Sequence, residues 1–146
     1  MLERWTLVAS TAVNFYLLAV MVVFAAVVYP QFGAVERGAF PPLYAAFNAR
    51  IGVPVVAFEF LAFLIPLVLY AARPAVVPLW AVHVSAALGV AYFAITFGWH
   101  LPAHRALAAG DNSAEALRGV FSSQWARTAL QVLRAGFLGY LSSLAR

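Results

Sequence analysis

The chain has 146 residues, 65% of them hydrophobic and only 10% charged, a balance that excludes an ordinary water-soluble globule. It contains no cysteine, which excludes disulfides, iron–sulfur clusters and thiolate metal sites. The formal net charge of +4 rests on arginines spaced about one per loop or helix end, a pattern that suits lipid headgroups and not nucleic acid.

The first apolar stretch covers residues 5–29, and no charge falls between Arg4 and Glu36. About 20 apolar residues, rising ~1.5 Å each, cross a hydrocarbon core of ~30 Å. The run is too long for the core of a signal peptide, so a retained first helix is expected. In the next loop, Pro41-Pro42 start a short interfacial helix toward Arg50. The second stretch covers 51–72, where Pro66 is expected to kink the helix and free the carbonyl of Ala62. A short connection after Pro74 makes it an antiparallel hairpin with the third stretch, 76–98. Pro102 then starts a short helix that Gly110 closes. Asn112 stands three residues before Glu115, a capping-box spacing that opens the last helix, 113–145. At helical rise that helix is ~50 Å long and projects beyond the bilayer.

The expected fold is all-α: a single domain over 1–146, a four-helix transmembrane bundle with short interfacial helices in the two larger loops. Its helices cover about 5–29, 51–72, 76–98 and 113–145. Four crossings put both termini on one side; the arginine count leans toward cytoplasmic larger loops, and arginines that point into the bundle leave the orientation open. Ala135, Gly139 and Ser143, and likewise Ser85 and Gly89, recur every four residues and let helices approach closely in lipid. The same faces could serve a homo-oligomer or a larger membrane complex. The lipid bilayer is the expected partner.

Polar residues inside the apolar stretches narrow the search for a site. Counted from Arg50, Glu59 lies ~13 Å in from the large-loop face, and Arg134 lies ~10 Å in when counted from Arg127. An unpaired ion at such depth costs at least ~2.5 kcal/mol, so Glu59 and Arg134 are expected to pair. The pair is either a structural clamp or a carboxylate tuned by a cation for proton handling. Gln124, Arg127, Gln131 and Arg134 follow spacings of three, four and three, which puts them on one face directed at the interior or at a watered cleft. Asn14 and His83 lie at matching depth and are expected to hydrogen-bond across helices. His100 and His104 have i, i+4 spacing, but Pro102 between them is expected to put them on different segments. Hydrogen-bonding histidines are favoured there over a metal completed by Glu36, Asp111 or Glu115, so no cofactor is expected and a metal at His100/His104 is the lesser alternative. Tyr29, Tyr44, Trp99 and Trp125 gather at the same boundary, as in an aromatic belt.

Three segments together resemble a family of small bacterial four-helix membrane proteins related to the anthrone oxygenases of fungal polyketide pathways. They are Tyr29-Pro30-Gln31-Phe32; Phe40 through Arg50-Ile51 to Glu59; and Leu101-Pro102-Ala103-His104 with Leu107, followed by Trp125-Ala126-Arg127-Thr128 and Arg134. Relatives carry histidines where this chain has Tyr44 and Phe47. The resemblance implies a bacterial inner-membrane protein with a site built from Tyr44, Arg50, Glu59, His104, Trp125, Arg127 and Arg134, to which the polar stripe adds Gln131. It implies oxygen insertion into an activated aromatic without a metal. His104 or Glu59 would remove the acidic ring proton, and Arg127 or Arg134 would stabilise the enolate. The functional expectation is therefore an oxygenase-like enzyme, or a binder of an apolar aromatic or lipid-like ligand. The alternatives are an accessory subunit of a membrane complex and, behind it, a small transporter, disfavoured by the lack of an inverted repeat.

Overall fold

The computed structural model describes residues 1–145, and they are helical almost throughout, with no strand among them. Five helices result: α1 (Leu2–Phe32), α2 (Phe40–Ile51), α3 (Pro54–Tyr70), α4 (Leu79–Ala108) and α5 (Ala114–Leu144). Helices α2 and α3 meet at a bend of 44°, the geometry of a broken span or of a re-entrant loop, and can be counted as one broken rod. Counted that way there are four rods in cyclic order: α1 packs on α3 and α5, and α4 packs on the same two. Two helices, α1 and α4, are long and apolar enough to cross a membrane, with mean hydropathies of 2.3 and 1.6. The broken α2–α3 rod passes with them if it is taken as one span. Helix α5 is as long, but its inward face is polar: Gln124, Arg127, Gln131 and Arg134 are all buried, as their spacing predicts. Its outward face carries exposed Val132, Leu133 and Tyr140.

The interior has three layers. Leu7, Leu69, Val77, Val82, Leu138 and Leu141 fill the end near the chain termini. Leu17, Met21, Ala62 and Tyr92 form the middle. Tyr29, Phe32, Phe40, Tyr44, Leu107 and Val120 pack the large-loop end, which is mostly aromatic.

Several local expectations are corrected. The middle of the bundle ties Asn14 to Gln131 and not to His83: Gln131 Nε2 donates to the Asn14 carbonyl at 2.8 Å and to Oδ1 at 3.0 Å. Asn14 Nδ2 in turn donates to the Ala62 carbonyl at 3.1 Å, the group that Pro66 leaves without its helical donor. His83 faces outward and meets Tyr70 Oη at 2.8 Å instead. Pro102 does not begin a new helix; α4 runs through it, and Gly110 ends α4 at φ 89°. The Gly110 and Asp111 amides there close on Leu107 and Ala106, a Schellman arrangement. The cap of α5 is one residue later than expected, since Ser113 Oγ accepts the Ala116 amide at 3.3 Å. Asn112 is used elsewhere: its Nδ2 donates to the Val35 carbonyl at 2.8 Å and so ties the two large loops together. Asp111 accepts the Ser113 amide at 2.9 Å, a hydrogen bond that holds its carboxyl below the usual carboxylate range.

Candidate functional site

Prolines prepare the large-loop end. Pro30, Pro54 and Pro102 each lack an N–H and crowd the carbonyl four residues back, which belongs to Ala26, Arg50 and Gly98. In each rod the helix answers with a widened π turn: Phe24–Val28 in α1, Gly52–Ala57 at the α2–α3 bend, and Thr96–His100 in α4. The Tyr29 amide reaches back five residues to Phe24, and the Leu101 amide five residues to Thr96. Such turns bulge a helix outward and recur at functional sites. All three line one cavity of about 280 Å³. It lies between α1, α2, α3 and α4 with α5 as its floor, and most of its wall is apolar.

The cavity's polar groups form two sets. The first is a run of hydrogen bonds through both histidines. His104 Nδ1 meets Tyr44 Oη, and His104 Nε2 lies 3.0 Å from His100 Nε2 and 3.3 Å from Tyr29 Oη. His100 Nδ1 lies 2.8 Å from Ser123 Oγ, which donates at 3.0 Å to the Val120 carbonyl. One proton assignment satisfies the run from Tyr44 to Val120: Tyr44 O–H to His104 Nδ1, His104 Nε2–H to His100 Nε2, His100 Nδ1–H to Ser123, and Ser123 O–H to Val120, with Tyr29 Oη placed to accept a longer share of the His104 Nε2–H. Both imidazoles are then neutral. The histidines thus stand together, contrary to the expectation that Pro102 would separate them. The π turn Thr96–His100 absorbs the proline and lets one helix continue, which preserves the i, i+4 register.

The second set sits deeper. Arg127 donates from Nη2 to Glu59 Oε1 and to Tyr92 Oη, and from Nη1 to Gln124 Oε1 at 3.3 Å. Its guanidinium also lies 4.7 Å from the centre of the Tyr92 ring. Gln124 Nε2 continues to the Met21 carbonyl at 3.1 Å, so α1, α3, α4 and α5 are joined at one level. This corrects the expected Glu59–Arg134 pair. Depth counted from Arg50 assumed a straight helix, whereas the bend and its wide turn use up rise and leave Glu59 level with Arg127. Arg134 lies two turns further along α5, buried at 2% exposure, and among the described residues its Nε and Nη2 have no hydrogen-bond partner. Gly89 makes room for it, since a Cβ there would stand 2.9 Å from Arg134 Cζ.

Of the expected site residues, Tyr44, Glu59, His104 and Arg127 line the cavity together. Arg134 and Gln131 are buried elsewhere along α5, while Arg50 and Trp125 are exposed and outside the cavity wall. Sequence reasoning passed over Tyr29 and His100 as members of this hydrogen-bonded run and over Tyr92 and Thr96 altogether, and it counted Arg105 only among the arginines of the large-loop face. The prolines were the signal for the turns. Tyr92 has a weaker one, a phenol placed within an otherwise uncharged span. No cluster of three or more metal-ligating side chains exists among the described residues.

Chemically, the arrangement offers a neutral imidazole pair at one wall and a charge-balanced, hydrogen-bonded floor. His104 can take a proton from a ligand only as Tyr44 yields its hydrogen bond, and His100 and Ser123 hold the ring in position while it does so. Arg127 is already engaged by Glu59 and Tyr92, so with Glu59 it acts as a fixed, oriented ion-pair dipole and not as a free clamp. Comparison with known proteins gave no match, whether among protein-family models, curated proteins or solved structures.

Proposed function

We propose that the chain is a four-helix transmembrane bundle of a bacterial inner membrane whose cavity binds a small apolar, aromatic or lipid-like ligand at the end of the larger loops. The reading supported best is an oxygenase-like enzyme, or a binder, that works without a metal. The observation that carries it is the convergence of three proline-driven π turns, from α1, the α2–α3 bend and α4, on one apolar cavity with a neutral histidine pair in its wall. A bundle built for support alone has no need of three weakened turns at one level, since each forfeits regular α hydrogen bonding. A volume of about 280 Å³ sits at the small end of the ~300–1,000 Å³ typical of ligand pockets, so a one- or two-ring molecule fits the cavity. In the enzyme form His104 is the base, with Tyr44 and His100 as its partners, and Arg127 supplies the field for a developing enolate. The likeness of the three segments to the anthrone-oxygenase relatives supports the same assignment.

One observation favours a second reading, that of an accessory subunit in a larger membrane complex. The Glu59–Arg127–Tyr92 contact and the Asn14–Gln131 contact clamp the rods at two levels and would serve a rigid spacer equally well. Titration with 2-naphthamide, a neutral two-ring probe, in nanodiscs of zwitterionic lipid separates the two. Ligand binding predicts saturable uptake in the wild type and about tenfold weaker uptake in His104→Ala, a loss of ~1.4 kcal/mol, with a similar unfolding temperature. Equal uptake by both proteins would remove the cavity as the site.

A further inference from the structure

The cavity's charge accounting points to the kind of ligand it takes, an inference that rests on the ligand-binding reading above. Among its lining residues Glu59 is the single carboxylate, and Arg127 holds it. In the proton assignment given above, His100 and His104 are each neutral and their ring nitrogens are taken up within the run. That leaves Arg105, which lines the cavity, lies at an exposed position of α4, and forms no ion pair among the described residues. Asn48 on α2, also exposed, borders the same opening. The opening is therefore lateral, between the α2–α3 bend and the last turns of α4, where Val56 and Leu101 are also exposed. Arg105 follows His104 directly, so the cation stands at the mouth while the imidazoles stand within.

We propose that the cavity takes a small amphiphilic acid, its ring system against Tyr29, Tyr44 and the histidines and its carboxylate on Arg105 at the mouth, which makes Arg105 a specificity-determining residue. A free guanidinium beside an apolar cavity gives a carboxylate two parallel hydrogen bonds that a neutral headgroup cannot match. A position near the polar boundary lets the charge stay partly hydrated, so the ligand avoids the cost of carrying an ion to Arg127's depth. The cavity volume of about 280 Å³ admits a compact acid.

The test compares 2-naphthoate with 2-naphthamide, nearly isosteric probes that differ in charge, by calorimetric titration in zwitterionic nanodiscs corrected for empty discs. The expected result is roughly tenfold tighter binding of the acid, abolished by Arg105→Gln, largely kept by Arg105→Lys and untouched by Arg118→Gln, which removes an exposed arginine elsewhere. Amide affinity should be the same in all four proteins. Equal binding of acid and amide, or an equal loss in Arg105→Gln and Arg118→Gln, overturns the role of Arg105 and leaves ligand binding intact. Loss of acid binding when phosphatidylglycerol is added to the discs assigns Arg105 to a lipid headgroup and overturns the small acid. Failure of both probes to bind overturns the ligand-binding reading itself.

Discussion

At the end where Leu69, Val77 and Leu138 meet, the rods are joined by aliphatic side chains at 1% exposure or less. At the other end Tyr29, Tyr44, His100 and His104 meet, three helices carry widened turns, and a cavity remains. The two ends answer different demands with the same rods. The aliphatic end holds by close packing and by short contacts such as Thr11 Oγ1 with Ser142 Oγ at 2.7 Å, the means by which helices associate where lipid removes the hydrophobic drive. The aromatic end gives up helical regularity to place polar groups around a space. Between them, Glu59, Arg127, Tyr92 and Gln124 form the layer that keeps the two in register.

Removing that layer should have the largest effect. Arg127→Ala leaves Glu59 buried without its cation and should cost roughly 3–5 kcal/mol, read by thermal unfolding in mild detergent. Combining it with Glu59→Leu should restore part of the loss, because no uncompensated charge then remains. A double variant no better than the single one would mean that the layer holds the fold through Tyr92 and Gln124 instead. Next, Leu138→Ala at the aliphatic end should cost about 2–5 kcal/mol while leaving probe affinity within a factor of two. Matched with His104→Ala, which should do the reverse, it separates packing from binding, and parallel losses in both variants would erase the contrast between the ends. The smallest effect is expected at the loop: Ser113→Ala removes the cap of α5 for ~1 kcal/mol, and a loss near zero would show that Asp111 and Asn112 hold that turn without it.

Much of the architecture was legible because long apolar runs and their proline breaks are plain in the sequence. The helical class, the helix following Pro41-Pro42, the buried stripe on α5 and the freed carbonyl at Ala62 all stem from spacing and proline chemistry. The site was legible only in part. Tyr44, Glu59, His104 and Arg127 could be named, but their partners were set by local departures from α geometry. Each π turn inserts a residue into the helical count and rotates the side chains beyond it. That is why Glu59 meets Arg127 and not Arg134, and why His100 stays on one helix with His104 across Pro102. Depth along a helix is readable from residue number only where the rise is uniform. The failed Asn14–His83 pair has another cause. Equal depth does not fix azimuth, and His83 faces outward on α4 toward Tyr70 while Asn14 faces Gln131.

The most direct test of the claim that the aromatic end is a ligand site is native mass spectrometry of the protein released gently from its own membranes, with Leu138→Ala and His104→Ala beside it. A ligand site at that end gives a small-molecule adduct on the wild type and on folded Leu138→Ala, and none on folded His104→Ala. Adduct-free protein in all three, bound in fixed stoichiometry to other subunits, would contradict it and make the cavity an incident of a supporting structure.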